Sequence, residues 1–113
     1  MHQPSKDEAI KIIEELPIEK SFYFYTGIGS PTGKFARSLG EFIGMMKIIE
    51  MSSVEFHVQR GDFINWIKML GDETLSQQIA KIEKDNLTGE KLRQRLLQVL
   101  RMRYGTLRKI SMG

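Results

Sequence analysis

Residues 22–33 read Phe22-Tyr23-Phe24-Tyr25-Thr26-Gly27-Ile28-Gly29-Ser30-Pro31-Thr32-Gly33, and the interpretation of this stretch decides the fold class. Aromatic side chains crowded into positions 22–26 favour an extended backbone. No second β-like run is evident elsewhere in the chain, and a lone strand cannot make a sheet by itself. The segment is therefore expected to be an extended aromatic arm, or a strand completed in a homodimer. Gly27 to Gly33 is expected to be a loop that leads into a helix, with Ser30 as N-cap and Pro31 in the first turn.

Outward from this segment the pattern is helical. Ser5-Lys6-Asp7-Glu8 spells a capping box, followed by a stripe of Ala9, Ile12, Ile13 and Leu16 that ends at Pro17. Phe35, Leu39, Phe42, Ile43, Met46 and Ile49 recur at helical spacing, with Ala36, Gly40 and Gly44 as a small-residue row beside them. Glycine costs roughly 1 kcal/mol in a helix interior relative to alanine, so Gly40 and Gly44 suggest a groove that another backbone or a ligand approaches. Ser53, Asp62, Asp72 and Thr88 are the expected N-caps of the next four helices, and Gly61 and Gly71 the expected stops. The last helix, if unbroken from Thr88 to Ile110, is about 33 Å long. The expected fold is all-α: about six helices in a single compact bundle spanning residues 1–113, with one aromatic extended segment at 22–26.

Composition narrows the function classes. The chain has 113 residues, 41% hydrophobic and 27% charged, values typical of a globular domain. It has no cysteine, which excludes disulfides, thiolate metal sites and cysteine nucleophiles and fits a cytoplasmic setting. Two histidines, His2 and His57, are too few and too distant for a zinc cluster, so no metal or cofactor is expected. No run approaches the ~20 apolar residues of a membrane span, and the first residues do not read as a signal peptide. The net charge of +3 conceals an asymmetry. Residues 1–90 carry ten Lys/Arg against fourteen Asp/Glu, whereas residues 91–113 carry seven Lys/Arg and no acid.

Several motifs fail on spacing. Strand-like 22–26 followed by Thr26-Gly27-Ile28-Gly29-Ser30-Pro31-Thr32-Gly33-Lys34 has the flavour of a phosphate-binding loop. Ile28 stands where the first glycine is required, however, and Phe35 where a magnesium-binding hydroxyl is required. Arg60-Gly61-Asp62 is explained by a helix end followed by a new N-cap. His57 is the one acid–base candidate in the body of the chain, with Glu55, Arg60 and Asp62 nearby in sequence. A half-buried histidine bonded to a carbonyl or to Asp62 is the simpler expectation. Trp66 is expected to anchor the core. Arg103 falls in the apolar stripe of the last helix, where a lone charge would be expelled. It is expected to tie that helix to Asp62, Glu55 or Asp72, or else to form an anion site beside Trp66.

The run Phe56 to Ile79, FHVQRGDFINWIKMLGDETLSQQI, resembles the signature of a prokaryotic, largely archaeal family of unknown function. The shared pattern is F-H-x3-G-D-F-x2-W-I followed by L-G-D-x2-L. Ala36-Arg37-Ser38-Leu39 upstream fits as well, so the resemblance spans residues 20–110. Ser76 departs from the expected alanine, which touches only local packing. The family occurs alone and appended to larger enzymes, some of them sugar-handling, which implies an accessory or binding module and supplies no reaction.

Three functions follow as expectations. The first is a non-enzymatic interaction module for a protein partner or a second copy of the chain, using Phe22, Tyr23, Phe24, Tyr25, Gly40 and Gly44 as contact surface. The second is nucleic-acid binding through Arg93, Arg95, Arg101, Arg108 and Lys109, which are then expected to be exposed on one side of the last helix. The third is a small anion or sugar-phosphate binder around His57, Asp62, Trp66 and Arg103.

Overall fold

The computed structural model describes residues 3–113; Met1 and His2, the histidine other than His57, lie outside the described residues. Helix α1 (Lys6–Ile13) and a short 3₁₀ turn (Ile18–Lys20) precede a hairpin of β1 (Phe22–Gly27) and β2 (Ser30–Ala36). Five helices follow: α2 (Leu39–Ile48), α3 (Met51–Arg60), α4 (Asp62–Leu70), α5 (Glu73–Lys84) and α6 (Gly89–Met112). The described residues are thus mostly helical but not all-α, because residues 30–36 form the second strand of an antiparallel sheet. The predicted loop into a helix, with Ser30 and Pro31 as its cap, is replaced by that strand.

The reason lies in what β2 buries. Of its seven residues only Ala36 reaches the core, so no hydrophobic alternation marks the strand in sequence. Backbone pairing and two threonine hydroxyls, Thr26 to the Ser30 carbonyl and Thr32 to the Phe24 carbonyl, hold it instead. Phe22 faces Ala36, Tyr23 faces Phe35, Tyr25 faces Pro31 and Gly27 faces Ser30, with irregularities either side of Tyr25. Within the first irregularity Gly33 adopts φ +84°, and the Thr32 hydroxyl donates to the Phe24 carbonyl at 2.7 Å. The connection is a two-residue turn in which Gly29 adopts φ +73°, a conformation glycine takes without steric cost.

Strand alternation sends Phe22 and Phe24 inward, where they are 6% and 1% exposed. There they join Phe42, Phe63 and Trp66, with Phe22–Phe24 centroids 4.8 Å apart and Phe42–Trp66 5.1 Å apart. Two of the four aromatic residues expected at an interface are therefore core. Tyr23 remains 43% exposed beside Phe35, and Tyr25 is half-buried.

The helical punctuation is partly as expected. Ser5 and Glu8 form the capping box, Asp72 caps α5 through the Leu75 amide, and Gly61 and Gly71 end their helices at φ +74° and +102°. Ser38, rather than Ser30, caps α2. Ser53 lies inside α3, which begins two residues earlier, and its buried hydroxyl has no partner among the described residues. Asp62 is the first residue of α4 and makes no cap bond, since its carboxylate turns elsewhere. Helix α6 runs through Gly105 to Met112.

The Gly40/Gly44 groove is only half real. A Cβ at Gly40 would sit 2.8 Å from the Tyr104 hydroxyl oxygen, so this chain's own α6 fills the space left for a partner. Nothing lies within 4 Å of a Cβ at Gly44. Gly44→Ala is therefore expected to raise stability by about 1 kcal/mol through helix propensity. Gly40→Ala, which must displace the tyrosine ring, is expected to be at least ~1 kcal/mol less stable than Gly44→Ala. Urea unfolding of the two variants checks the contrast; equal midpoints would refute it.

Candidate functional site

The corner between α3 and α4 is built from sequence neighbours. Gly61 in the left-handed conformation is the single residue between the end of α3 and the start of α4. His57 and Arg60 in the last turn of α3 thereby meet Asp62 at the start of α4. The His57 Nδ1–H donates to Asp62 Oδ2 at 2.8 Å, and the Arg60 Nε–H donates to the same oxygen at 3.1 Å. On the other side of the ring, Nε2 accepts the backbone N–H of Tyr25 at 2.9 Å. An amide N–H can only donate, so Nε2 carries no proton and the neutral Nδ1–H tautomer is fixed.

His57 is 3% exposed, and burial holds its pKa below the usual histidine range despite the bond to Asp62 and its charge. Both ring nitrogens are engaged. A general base needs a free lone pair facing substrate, and this imidazole offers none. Trp66 is committed in the same way, its indole N–H donating to the Lys20 carbonyl at 3.0 Å. Together these two side chains fasten the hairpin and the turn before it to the α3–α4 corner.

Beside that corner lies a cleft of about 480 Å³. Its walls include Tyr23 and Tyr25 of β1, Phe56 and Arg60 of α3, and Trp66 of α4, and Ile28 at the hairpin tip, 86% exposed, stands at the edge. Ser21 also lines it, with a buried hydroxyl that has no partner among the described residues. The Arg60 guanidinium lies 5.3 Å from the Phe56 ring centroid, flat aromatic surface and cation side by side. A pocket of this size and lining suits a planar or apolar group with a polar or anionic edge. On α5, the half-buried Glu83 is pushed up to about 7 by burial and by the charge of Asp62, and its Oε2 has no partner among the described residues.

The residues expected from sequence are thus only partly brought together. His57, Asp62 and Trp66 share the cleft. Arg103 does not join them. It grips Asp72 with two bonds, Nε to Oδ2 at 2.8 Å and Nη2 to Oδ1 at 2.9 Å. Among the expected nucleic-acid contacts, Arg93 is withdrawn from solvent, 7% exposed, its Nη1 donating to the Met46 carbonyl in the last turn of α2. Arg95, Arg101, Arg108 and Lys109 are exposed. Sequence reading passed over Phe56 and Arg60. They are four apart on α3 and so share one helix face, a signal that the spacing itself carries. Ser21 and the Tyr25 amide gave no signal.

Fold and site together define a mostly helical protein with a two-stranded hairpin pinned over a helical corner. The chain belongs to a family of unknown function (DUF5752), whose model matches residues 5–101. The matched region begins earlier and ends sooner than the 20–110 suggested by the motif. Neither curated proteins nor solved structures yield a match. Among the described residues no helix is long and apolar enough to cross a membrane.

Proposed function

We propose that this chain is a non-catalytic interaction module whose contact site is the aromatic cleft between β1 and the α3–α4 corner. One observation supports this above the others: the only histidine among the described residues has both nitrogens tied to structure, while aromatic faces and the Arg60 cation beside it line open space. The group received is planar or apolar, with an edge that Arg60 can engage. The anion-binding alternative draws on Arg60 rather than Arg103. The resemblance to a family appended to sugar-handling enzymes makes such an enzyme one candidate partner, and a second copy of the chain another.

The test uses 8-anilinonaphthalene-1-sulfonate, an aromatic anion, titrated into the isotope-labelled protein. Amide shifts are expected to concentrate at Tyr23, Tyr25, Ile28, Phe56 and Arg60, with energy transfer from Trp66 to the dye. Arg60→Ala is expected to weaken binding by about tenfold, the range of one desolvated charged contact. Shifts that avoid these residues, or an Arg60→Ala variant that binds as tightly as the wild type, would remove the cleft as the contact site.

A further inference from the structure

The structure divides the seven cations after residue 90 into two groups. Arg93 and Arg103 are structural, engaged with the Met46 carbonyl and Glu90 in one case and with Asp72 in the other. Lys91, Arg95, Arg101, Arg108 and Lys109 are exposed and make no ion pair with any described residue. These five occupy one side of α6, within an arc of ~140° and over a length of ~27 Å by helix geometry.

Two acids near the start of this face are already engaged. Glu90 bonds Arg93 at 3.1 Å, and Glu55 accepts the Gly89 N–H at the head of α6. No acid follows Glu90 in the chain. A shallow groove of about 360 Å³ lies on this face, lined by Leu87, Lys91, Gln94, Arg95 and Gln98. Its polar lining consists only of cations and amides, groups that bond phosphate oxygens readily.

We propose that the outer face of α6 docks the phosphodiester backbone of a nucleic acid, without reading base sequence. A linear track of like charges matches a ligand whose charges are themselves strung along an axis at regular spacing. A lipid surface fits less well. The apolar stripe of α6, including Leu92, Leu96, Leu100 and Leu107, is buried in the core, so α6 cannot lay an apolar face into a bilayer. This proposal is independent of the cleft.

The experiment is fluorescence anisotropy with a labelled DNA duplex across a salt series. Five contacts predict a log–log slope of about −4.5, a loss of roughly 500-fold in affinity for a fourfold rise in salt. Arg95→Gln with Arg101→Gln is expected to bring the slope to about −2.7, whereas Lys68→Gln, exposed on α4, leaves it unchanged. Circular dichroism confirms that the variants are folded. Absence of binding at low salt, or a slope that the α6 pair does not move, would overturn the proposal. Equal displacement of the duplex by polyglutamate at matched charge would overturn it in favour of an acidic protein partner.

Discussion

Arg103→Met is expected to lower stability by about 3–5 kcal/mol, a large share of the 5–15 kcal/mol that holds a typical domain together. Asp72 is 1% exposed and has both carboxylate oxygens on Arg103. One of those oxygens also accepts the Leu75 amide, the cap of α5. Removing the arginine leaves a buried carboxylate facing an apolar side chain, and the cost is that of an uncompensated charge rather than of a lost contact. Adding Asp72→Asn should recover most of the loss, because asparagine can still cap the helix and carries no charge. Urea unfolding of the two single variants and the double variant measures the cycle. A loss under ~1 kcal/mol for Arg103→Met would mean that the pair behaves like an exposed ion pair.

His57→Ala is expected to cost about 3 kcal/mol, since it leaves the Tyr25 amide without its acceptor, takes from Asp62 one of its two donors and opens a cavity beside Phe22. The specific sign is hydrogen exchange at Tyr25, which should accelerate more than at neighbouring strand amides. Unchanged protection there would show that the imidazole does not anchor the strand.

His57 and Glu83 set opposing pH dependences. The lowered pKa of His57 means that the unfolded chain binds more protons, so this group's contribution is full above about 6.5 and is lost as pH falls toward the folded value. Glu83, raised from 4.5 to about 7, acts the other way: its contribution is full below 4.5 and lost as pH rises through 7. Glu83→Gln should therefore raise stability at about pH 8, by on the order of 1 kcal/mol after allowance for its half-exposure. It should also leave a profile that climbs from acid toward about 6.5. Unfolding midpoints that fall with pH over that range in Glu83→Gln would contradict the assignment.

Short-range chemistry was legible in the sequence. Ser5–Glu8, Gly61, Gly71 and Asp72 act within three or four residues, and a charge at 103 inside an apolar stripe demanded a partner that Asp72 supplies. What could not be read was carried by distant backbone. Tyr25 and His57 are 32 residues apart, and Trp66 and Lys20 are 46 apart; in each pair one partner is a main-chain group that any residue type could provide. The second strand failed for a related reason. Ser30–Ala36 pairs through its backbone and puts a single alanine in the core, so neither propensity nor alternation announces it. Asp62 looked like a cap because helix N-termini and histidine partners both select aspartate.

The pairing of Tyr25 with Pro31 bears on how the sheet ends. In an antiparallel ladder two such facing residues direct their main-chain groups the same way, both inward or both outward. The Tyr25 amide points away from β2, toward His57, so position 31 faces outward too. On one margin, then, an imidazole already occupies the donor that an incoming chain would recruit; on the other, proline has no donor to give. A two-stranded sheet would ordinarily offer two open templates for runaway strand addition. Here both are closed at the same rung, so at that point neither margin offers a free donor to an incoming strand.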